Sequence, residues 1–379
     1  MKITDVEVIE FRTRTREHRT RWGKERWAEE IDATSTITKI STDEGVAGYM
    51  EGGSKAVIEG TVKPLLLGED PLNREKLWNW MDQMTTSRAK LTERDMGIVD
   101  CALWDLLGRM VSLPVHKILG GARERVKAYA VSASNLGPPE VYAEHAIACK
   151  EAGYEAYKIH AYIFWDPHKW APAPQQPGFP KEDVEVCKAV RAAVGNDMRL
   201  MLDSYGAYTL EEAIWVGREL EKLDFYWFEH PMIETRMEAY RRLTGELDIT
   251  ICSPEYAPGG VYSRAEWLRQ GASDMLRIDY AHGGLTACWK LANICHAFGV
   301  QCELHGGGWA HAQVLAATAG STCEYYERGV LRPGDDHDTP PPHLETIPDP
   351  LDGDGHIVVS QKPGLGMEYN WYYIDENRV

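Results

Sequence analysis

The sequence predicts an α/β fold in which a parallel (β/α) barrel follows a smaller α+β domain. Three observations support this prediction. The chain has 379 residues, which is enough for one large barrel with an accessory domain. From about residue 125, short apolar strands alternate with helical stretches, and polar residues at the ends of these strands recur at a nearly constant spacing.

The first domain is predicted over residues 1–124. Residues 2–11 alternate apolar and polar side chains as a strand does, and residues 35–51 are typical of a hairpin with a turn at residues 42–45. From about 55 to 112 the apolar residues recur every three or four positions, which indicates helices. Strands followed by helices, without strand–helix alternation, favour an α+β domain.

The barrel is predicted over residues 125–345, with a C-terminal segment over 346–379. Near-continuous apolar runs that each end in a polar residue are typical of buried parallel strands with functional groups at their C-terminal ends. The successive distances along the chain are 26, 26, 24 and 26 residues between the end residues Asp203, Glu229, Glu255, Asp279 and His305. One strand–loop–helix–loop unit uses about this length, so the five side chains are expected in one barrel mouth.

An insertion is predicted after the second barrel strand. Lys158 and Asp203 are 45 residues apart, 19 more than the usual 26, and residues 162–180 form a 19-residue stretch with five prolines and no helical pattern. This stretch either packs as a lid over the mouth, which its aromatic residues favour, or is a solvated excursion.

Composition and charge exclude several classes of protein. Hydrophobic residues make up 44% of the chain, and the net charge of −17 disfavours nucleic-acid binding because it repels phosphate backbones. No apolar run is long enough to span a membrane, and the first residues lack the apolar core of a secretion signal. The eight cysteines are scattered, as expected for reduced thiols. We therefore expect a cytoplasmic enzyme with no membrane or nucleic-acid partner.

The carboxylates Asp203, Glu229 and Glu255 predict a metal site. Three unpaired carboxylates in one mouth would repel each other unless a cation or basic side chains held them. All-oxygen ligation suits a hard divalent ion, and Mg²⁺ binds few protein carboxylates while leaving positions for water and substrate. The alternative is that each residue caps a loop or pairs with a surface base.

The order Lys158-x-His160, Asp203, Glu229, Glu255, Asp279, His305 on successive strands resembles the enolase superfamily, and specifically its mandelate racemase subgroup. Two further segments resemble that subgroup: ALWDLLGRMVSLPVHKILGG at 102–121 and KPGLGMEYNW at 362–371. The resemblance implies a modified TIM barrel, (β/α)7β, with an N-terminal α+β capping domain that the C-terminal segment completes. It also implies Mg²⁺-assisted removal of the proton α to a carboxylate, and a homo-oligomer.

The resemblance assigns candidate catalytic roles. Lys158 matches the first lysine of a Lys-x-Lys motif and would neutralise the substrate carboxylate. His160 stands where the family usually has a lysine base; it is predicted to transfer a proton, to bind a substrate hydroxyl, or to be structural, since a histidine accepts a proton at neutral pH. His305 and Asp279 match a His–Asp dyad in which the carboxylate raises the basicity of the ring.

Candidate substrate-binding residues are less closely specified. Glu324 resembles a glutamate that hydrogen-bonds the substrate carboxylate, although nearby Glu327 leaves the choice open. Tyr205 either donates to the substrate or only packs, and Trp165 belongs to the possible lid. Residues 12–26 carry a local charge of +5, and Arg21 in this basic arm either binds the substrate or lies on a surface or subunit contact. His230 follows a predicted ligand and is expected to point away from the mouth by strand alternation.

The predicted function is dehydration of a small-molecule carboxylate, a sugar acid of the aldonate or aldarate type. His160 or His305 would remove the α-proton, and the β-hydroxyl would leave with acid assistance from His305, giving a 2-keto-3-deoxy acid. A racemase or epimerase that uses His160 and His305 on opposite faces is the alternative, followed by a cycloisomerase. A catalytically silent relative is disfavoured because the ligands, dyad and lysine are all present.

Overall fold

The first domain contains one antiparallel sheet packed against helices. The structure is a computed structural model that describes residues 1–16, 30–87, 91–330, 332–334 and 336–379. Its first sheet has the order β1-β2-β3. The elements of this domain are β1 (Ile3–Arg16), β2 (Glu30–Thr42), β3 (Ala47–Glu51), α1 (Lys55–Val57), a π-helical turn (Ile58–Val62), α2 (Lys63–Leu66), α3 (Arg74–Thr85), α4 (Glu93–Val111) and α5 (Val115–Ile118).

Helix α4 connects this domain to the barrel. It begins after Thr92, whose hydroxyl accepts the backbone N–H of Asp95, and it ends at Ser112, which has a left-handed φ of 56°. Glu93 at its start accepts the backbone N–H of Gly259 at 2.8 Å and lies 2.8 Å from Nδ1 of His282. Since Gly259 and His282 follow barrel strands, α4 holds the first domain over the barrel mouth.

The second domain is a nearly closed parallel barrel of eight strands surrounded by helices. The strands pair in the order β12-β11-β10-β9-β8-β5-β4-β13. They are β4 (Arg125–Val131), β5 (Ala156–His160), β8 (Arg199–Asp203), β9 (Trp227–Glu229), β10 (Thr250–Cys252), β11 (Met275–Ile278), β12 (Gln301–Leu304) and β13 (Tyr325–Arg328). The helices are α6 (Pro139–Glu151), α7 (Pro180–Val194), α8 (Leu210–Lys222), α9 (Met237–Glu246), α10 (Gly260–Arg269), α11 (Gly284–Phe298) and α12 (Trp309–Ala317), with a 3₁₀ turn at Tyr280–His282. The predicted fold class is confirmed.

The inside of the barrel changes from apolar to charged along the strands. Alternate residues of a strand share one face. The lower interior is a separate buried core that includes Tyr129, Met201, Trp227, Met275 and Tyr325. Two residues further along several of these strands, the inward side chains are charged and equally buried: Asp203, Glu229, Arg277 and Glu327. The charged groups are therefore held rigidly at the C-terminal mouth.

The insertion at 162–180 is packed. It contains a small antiparallel hairpin of β6 (Trp165–Asp166) and β7 (Ala171–Pro172). Asp183 holds the start of the insertion in place. Its side chain accepts hydrogen bonds from the backbone N–H of Tyr162, at 2.8 Å, and from the hydroxyl of Tyr208. Because Tyr208 lies in the loop after β8, this buried carboxylate joins the insertion to the loop that follows Asp203. The lid interpretation is therefore favoured over a solvated excursion.

The C-terminal segment contacts both domains. Strand β14 (His356–Val358) pairs antiparallel with β4 of the barrel, and helix α13 (Trp371–Glu376) lies near β1. Between them, the backbone N–H of Leu365 donates to Asp105 on α4 at 2.8 Å. The predicted domain limits remain predictions.

Two sequence expectations concern membrane-spanning helices and the cysteine thiols. Within the described ranges, the helices lack the combination of length and apolar character that crossing a bilayer demands. All eight cysteines belong to the described residues, and each is buried with a free thiol.

Candidate active site

Three buried carboxylates meet at the mouth of the barrel. Asp203 and Glu229 are the last residues of β8 and β9, and Glu255 follows β10 by three residues. One carboxylate oxygen from each lies within 4.8 Å of the others. Oxygen donors this close can share one divalent cation with small adjustments, and the set matches the hard ligands that Mg²⁺ prefers. The predicted trio is therefore brought together, and its donor chemistry fits the predicted metal.

Two histidines flank this trio in the strand order: His160 ends β5, which pairs with β8 on one side, and His305 follows β12, which lies beyond β10 on the other. Nε2 of His160 lies 2.9 Å from Oδ2 of Asp203, and Nε2 of His305 lies 3.0 Å from Oε1 of Glu255. The other ring nitrogens are also held: Nδ1 of His160 is 2.8 Å from the carbonyl oxygen of Ser132, and Nδ1 of His305 is 2.9 Å from Oδ2 of Asp279. Each Nδ1 faces an acceptor outside the trio and each Nε2 faces a carboxylate of the trio, so both rings are held with Nε2 directed at the trio.

The electrostatic environments of these groups support proton transfer. Burial alone would lower the pKa of His305, but Glu255 and Asp279 raise that pKa well above its ordinary value. Burial would also raise the pKa of Asp279, yet His305 and His311 hold it well below its ordinary value. Against the same effect of burial, His160 lowers the pKa of Asp203. Asp279 is therefore an anionic partner for His305, whereas His160 has only a neutral carbonyl at its Nδ1.

Two buried cations lie beneath the trio. Nζ of Lys158 is 2.8 Å from Oε1 of Glu229, 3.1 Å from Oε1 of Glu327 and 3.8 Å from Oδ2 of Asp203. Nε of Arg277 is 2.8 Å from the same Glu229 oxygen, and its Nη2 pairs with Glu327. Burial opposes ionisation of Glu327, but Lys158 and Arg277 lower its pKa well below the ordinary value. The two cations thus keep Glu327 ionised, whereas at Glu229 burial outweighs them and raises the pKa.

The prediction for Glu324 is wrong, and Glu327 occupies the site instead. The Glu324 carboxylate lies 2.9 Å from Nη1 of Arg199 and 3.0 Å from the Tyr226 hydroxyl, at the N-terminal edge of the strands. Glu327 is three residues further along β13, at the C-terminal end, and shares the inward face with Tyr325. Strand direction and alternation therefore separate two acidic residues that are close in sequence.

A cavity of about 510 Å³ lies beside the trio. Tyr205, which has a left-handed φ of 56° and donates its backbone N–H to Oδ1 of Asp203 at 2.9 Å, forms part of the wall. His230 was expected to point away from the mouth, and this expectation is wrong: it is buried, lines the cavity and places Nδ1 3.7 Å from Oε2 of Glu255. Phe164 and Pro177 of the insertion complete the wall on another side.

The remaining two substrate-binding predictions differ in how far the structure describes them. Trp165 is buried within the hairpin of the insertion, next to the cavity residue Phe164. Arg21 lies outside the described residues, as does most of the basic arm; Arg12 and Arg14 of that arm are exposed on β1.

Sequence reasoning did not single out Arg277, Tyr256 or Ser132. Arg277 had a detectable signal, because it precedes Asp279 by two residues and therefore shares its face of the strand. Tyr256 follows Glu255 directly, and its ring centroid lies 5.9 Å from that of His305. Ser132 contacts His160 twice: its hydroxyl accepts the backbone N–H of His160 at 3.0 Å, and its backbone carbonyl lies 2.8 Å from Nδ1 of the ring.

Together, the fold and the site define a class of protein. A nearly closed parallel barrel, a capping α+β domain and three carboxylates at successive strand ends are features of barrel enzymes whose chemistry is carried out at the C-terminal face.

Family comparisons agree with this class. Residues 28–120 match the family described as mandelate racemase / muconate lactonizing enzyme, N-terminal domain, and residues 141–373 match the enolase C-terminal domain-like family. The chain belongs to the mandelate racemase / muconate lactonizing enzyme family of the enolase superfamily, as its sequence motifs predicted.

Individual relatives cover nearly all of the chain. It is similar to a crystal structure of D-glucarate dehydratase from Agrobacterium tumefaciens complexed with magnesium, with a TM-score of 0.92 and 38% identity over 100% of this chain and 99% of that one. It is 32% identical to arabinonate dehydratase of Saccharolobus solfataricus over 87% of this chain and 86% of the relative. It is 28% identical to D-galactarolactone cycloisomerase of Agrobacterium fabrum over 100% and 99% of the two chains.

Proposed function

We propose that the protein is a Mg²⁺-dependent dehydratase of a sugar acid that forms a 2-keto-3-deoxy acid. The observation that carries this proposal is the placement of two histidines, each with Nδ1 held by an acceptor, that flank a three-carboxylate cluster in the strand order. The similarity to D-glucarate and arabinonate dehydratases supports a sugar acid as the substrate class.

Asp203, Glu229 and Glu255 would hold the cation. The chemistry that a bound Mg²⁺ supplies is stabilisation of the negative charge that develops on the substrate carboxylate. Lys158 adds a second positive charge beside the cluster, and Glu229 and Glu327 fix its position. Preorganised charges of this kind lower the barrier because they do not have to reorient during the reaction.

Nε2 of His160 or His305 removes the α-proton, and the electrons of the broken C–H bond form the enediolate. The β-carbon–oxygen bond then breaks, and Nε2–H of His305 donates a proton so that the hydroxyl leaves as water. Asp279 stabilises the imidazolium form of His305, which makes that histidine suitable as the acid. The resulting enol tautomerises to the 2-keto acid.

The same geometry favours one alternative, a racemase or epimerase. His160 and His305 contact different members of the trio, as two bases on opposite faces of a substrate carbon would. In that reaction one histidine removes the α-proton and the other returns a proton to the opposite face, with no loss of the hydroxyl. Cycloisomerisation is a further candidate because of the cycloisomerase relative.

The deciding experiment is incubation of the Mg²⁺-loaded protein with a panel of aldonates and aldarates in D₂O. A 2-keto acid product supports dehydration, whereas an α-deuterated epimer without keto acid supports the alternative. If no acid in the panel gives either product, the result contradicts both dehydration and epimerisation.

Variants assign the roles in the same assay. We expect His305→Asn to lose at least about 100-fold in rate, since a positioned acid–base residue contributes about this much. His296→Asn, an exposed histidine on α11, is the matched control and should keep the wild-type rate. Wild-type turnover by His305→Asn would contradict the proposed role.

A further inference from the structure

The cavity beside the trio is lined by residues that follow each of the three metal-ligand candidates in sequence. Tyr205 follows Asp203 by two residues, His230 follows Glu229 directly, and Tyr256 follows Glu255 directly. A substrate whose carboxylate and α-hydroxyl are held at the trio therefore has this space next to its remaining carbons.

An unbroken series of rings forms the wall between the two candidate bases. Ring centroids are separated by 5.3 Å from His160 to Tyr205, 6.4 Å from Tyr205 to His230, 5.4 Å from His230 to Tyr256 and 5.9 Å from Tyr256 to His305. Contacts in this range are typical of packed aromatic pairs. The wall is therefore a rigid surface that begins at one catalytic candidate and ends at the other.

The chemistry of the wall matches a hydroxylated carbon chain. Aromatic faces pack against C–H groups, while the hydroxyls of Tyr205 and Thr235 and the imidazole of His230 can exchange hydrogen bonds with substrate hydroxyls. The Tyr256 hydroxyl donates to the Glu255 carboxylate and can still accept a hydrogen bond from a substrate hydroxyl. Glu234, the one carboxylate among the described lining residues, accepts the backbone N–H groups of Glu255 at 2.7 Å and of Tyr256 at 2.5 Å.

The same hydrogen bonds give Glu234 a positioning role. They fix the backbone from which both a metal-ligand candidate and a wall residue project. The cavity and the trio are thus built as one unit, and the insertion closes the unit through Phe164 and Pro177.

We propose that this cavity is the subsite for the hydroxylated carbons of the acid beyond the two reacting carbons, and that Tyr256 and His230 determine which acids are accepted. The proposal rests on the proposed function, because it takes the reacting carbons to lie at the trio. A volume of about 510 Å³ lies within the range of small-molecule sites and is ample for a six-carbon acid with some water.

The test is calorimetric binding to the Mg²⁺-loaded protein along a series of α-hydroxy acids of increasing length. The probes are glycolate, four-carbon and six-carbon aldonates, and 2-hydroxyhexanoate, which has six carbons but lacks the distal hydroxyls. We expect the tightest-binding hexonate to exceed glycolate in affinity at least about tenfold, the gain from one or two buried hydrogen bonds. The 2-hydroxyhexanoate should bind more weakly than the hexonate, because it packs its carbons against the wall but forms none of the distal hydrogen bonds.

Two variants locate this gain in the cavity. Ile233→Trp places a larger side chain at a half-exposed lining position and should remove the gain from chain length while leaving glycolate binding unchanged. Tyr256→Phe keeps the ring and removes a hydroxyl that also bonds Glu255, so the readout is the ratio of hexonate to glycolate affinity, which should fall about fivefold. Leu67→Trp, an equally large substitution at an exposed position in the first domain, is the matched control and should bind like the wild type.

Several results would overturn the subsite. One is that the wild type binds the hexonate no more tightly than glycolate. Another is that Ile233→Trp keeps the higher affinity for the hexonate. A third is that 2-hydroxyhexanoate binds as tightly as the hexonate. Assay of the same hexonates for keto acid keeps the two proposals apart. If Ile233→Trp removes the binding gain but no keto acid forms, the subsite stands and dehydration fails; if keto acid forms and the gain survives in the variant, dehydration stands and the subsite fails.

Discussion

Replacing Glu327 with glutamine should destabilise the protein and impair its site, whereas the same change at Glu324 should do neither. In the Mg²⁺-loaded protein, Glu327→Gln removes one of the two carboxylates that the buried cations Lys158 and Arg277 share and leaves them sharing Glu229. At an effective dielectric constant of about 20, unit charges at the 3.1 Å between Lys158 and Glu327 attract by about 5 kcal/mol. Because the amide still accepts hydrogen bonds, we expect a loss of about 3 kcal/mol in unfolding free energy, as for other broken buried pairs.

Glu324→Gln is the matched control. Its partner Arg199 is about half exposed, at 49% of its side-chain surface, so loss of this pair should cost about 0.5–1 kcal/mol. The assay is urea unfolding monitored by circular dichroism with saturating Mg²⁺, followed by turnover of the best sugar acid from the panel. Equal destabilisation by the two variants, or loss of turnover only in Glu324→Gln, would refute the placement of Glu327 in the site.

Two further predictions concern the metal ligands and a buried carboxyl. Asp203→Asn and Glu229→Gln should each weaken Mg²⁺ binding at least about tenfold by calorimetry, since each removes an anionic ligand from the trio; unchanged affinity in both would contradict the metal site. Burial raises the pKa of Asp183 from 3.8 to about 7, so the folded protein keeps a proton there that the unfolded chain releases. The unfolding free energy should therefore contain a component that falls as the pH rises from about 4 to about 7, and Asp183→Asn should lack it; equal pH slopes in the two proteins would contradict this.

The spacing of strand-end residues was sufficient to predict most of the site. Each strand–helix unit of a barrel uses a similar length of chain, so polar residues about 26 positions apart must reach the same mouth. For that reason the sequence alone places Asp203, Glu229, Glu255, Asp279 and His305 together. The α+β character of the first domain also followed from its pattern, but its position as a cap and the return of the C-terminal segment depended on resemblance to a family, because those contacts join residues that are far apart in sequence.

The errors have physical causes at particular residues. Choosing between Glu324 and Glu327 requires the exact start of β13. An error of three residues in that start moves a side chain to the opposite end and the opposite face of this short strand. His230 departs from strand alternation because its backbone adopts a left-handed φ of 42°. The sequence gives no sign of this conformation, since histidine rarely adopts it. The cavity wall combines Phe164, Tyr205 and Tyr256 from three separate loops, and their meeting depends on tertiary packing alone.

The most direct test of the account is the position of a divalent cation in crystals of the protein. Mn²⁺ accepts the same oxygen ligands as Mg²⁺ and scatters anomalously. In crystals grown with saturating Mn²⁺, we predict one anomalous peak within about 2.5 Å of a carboxylate oxygen from each of Asp203, Glu229 and Glu255, between His160 and His305. An anomalous map with no peak at the trio, or with Mn²⁺ bound only elsewhere, would contradict the central claim.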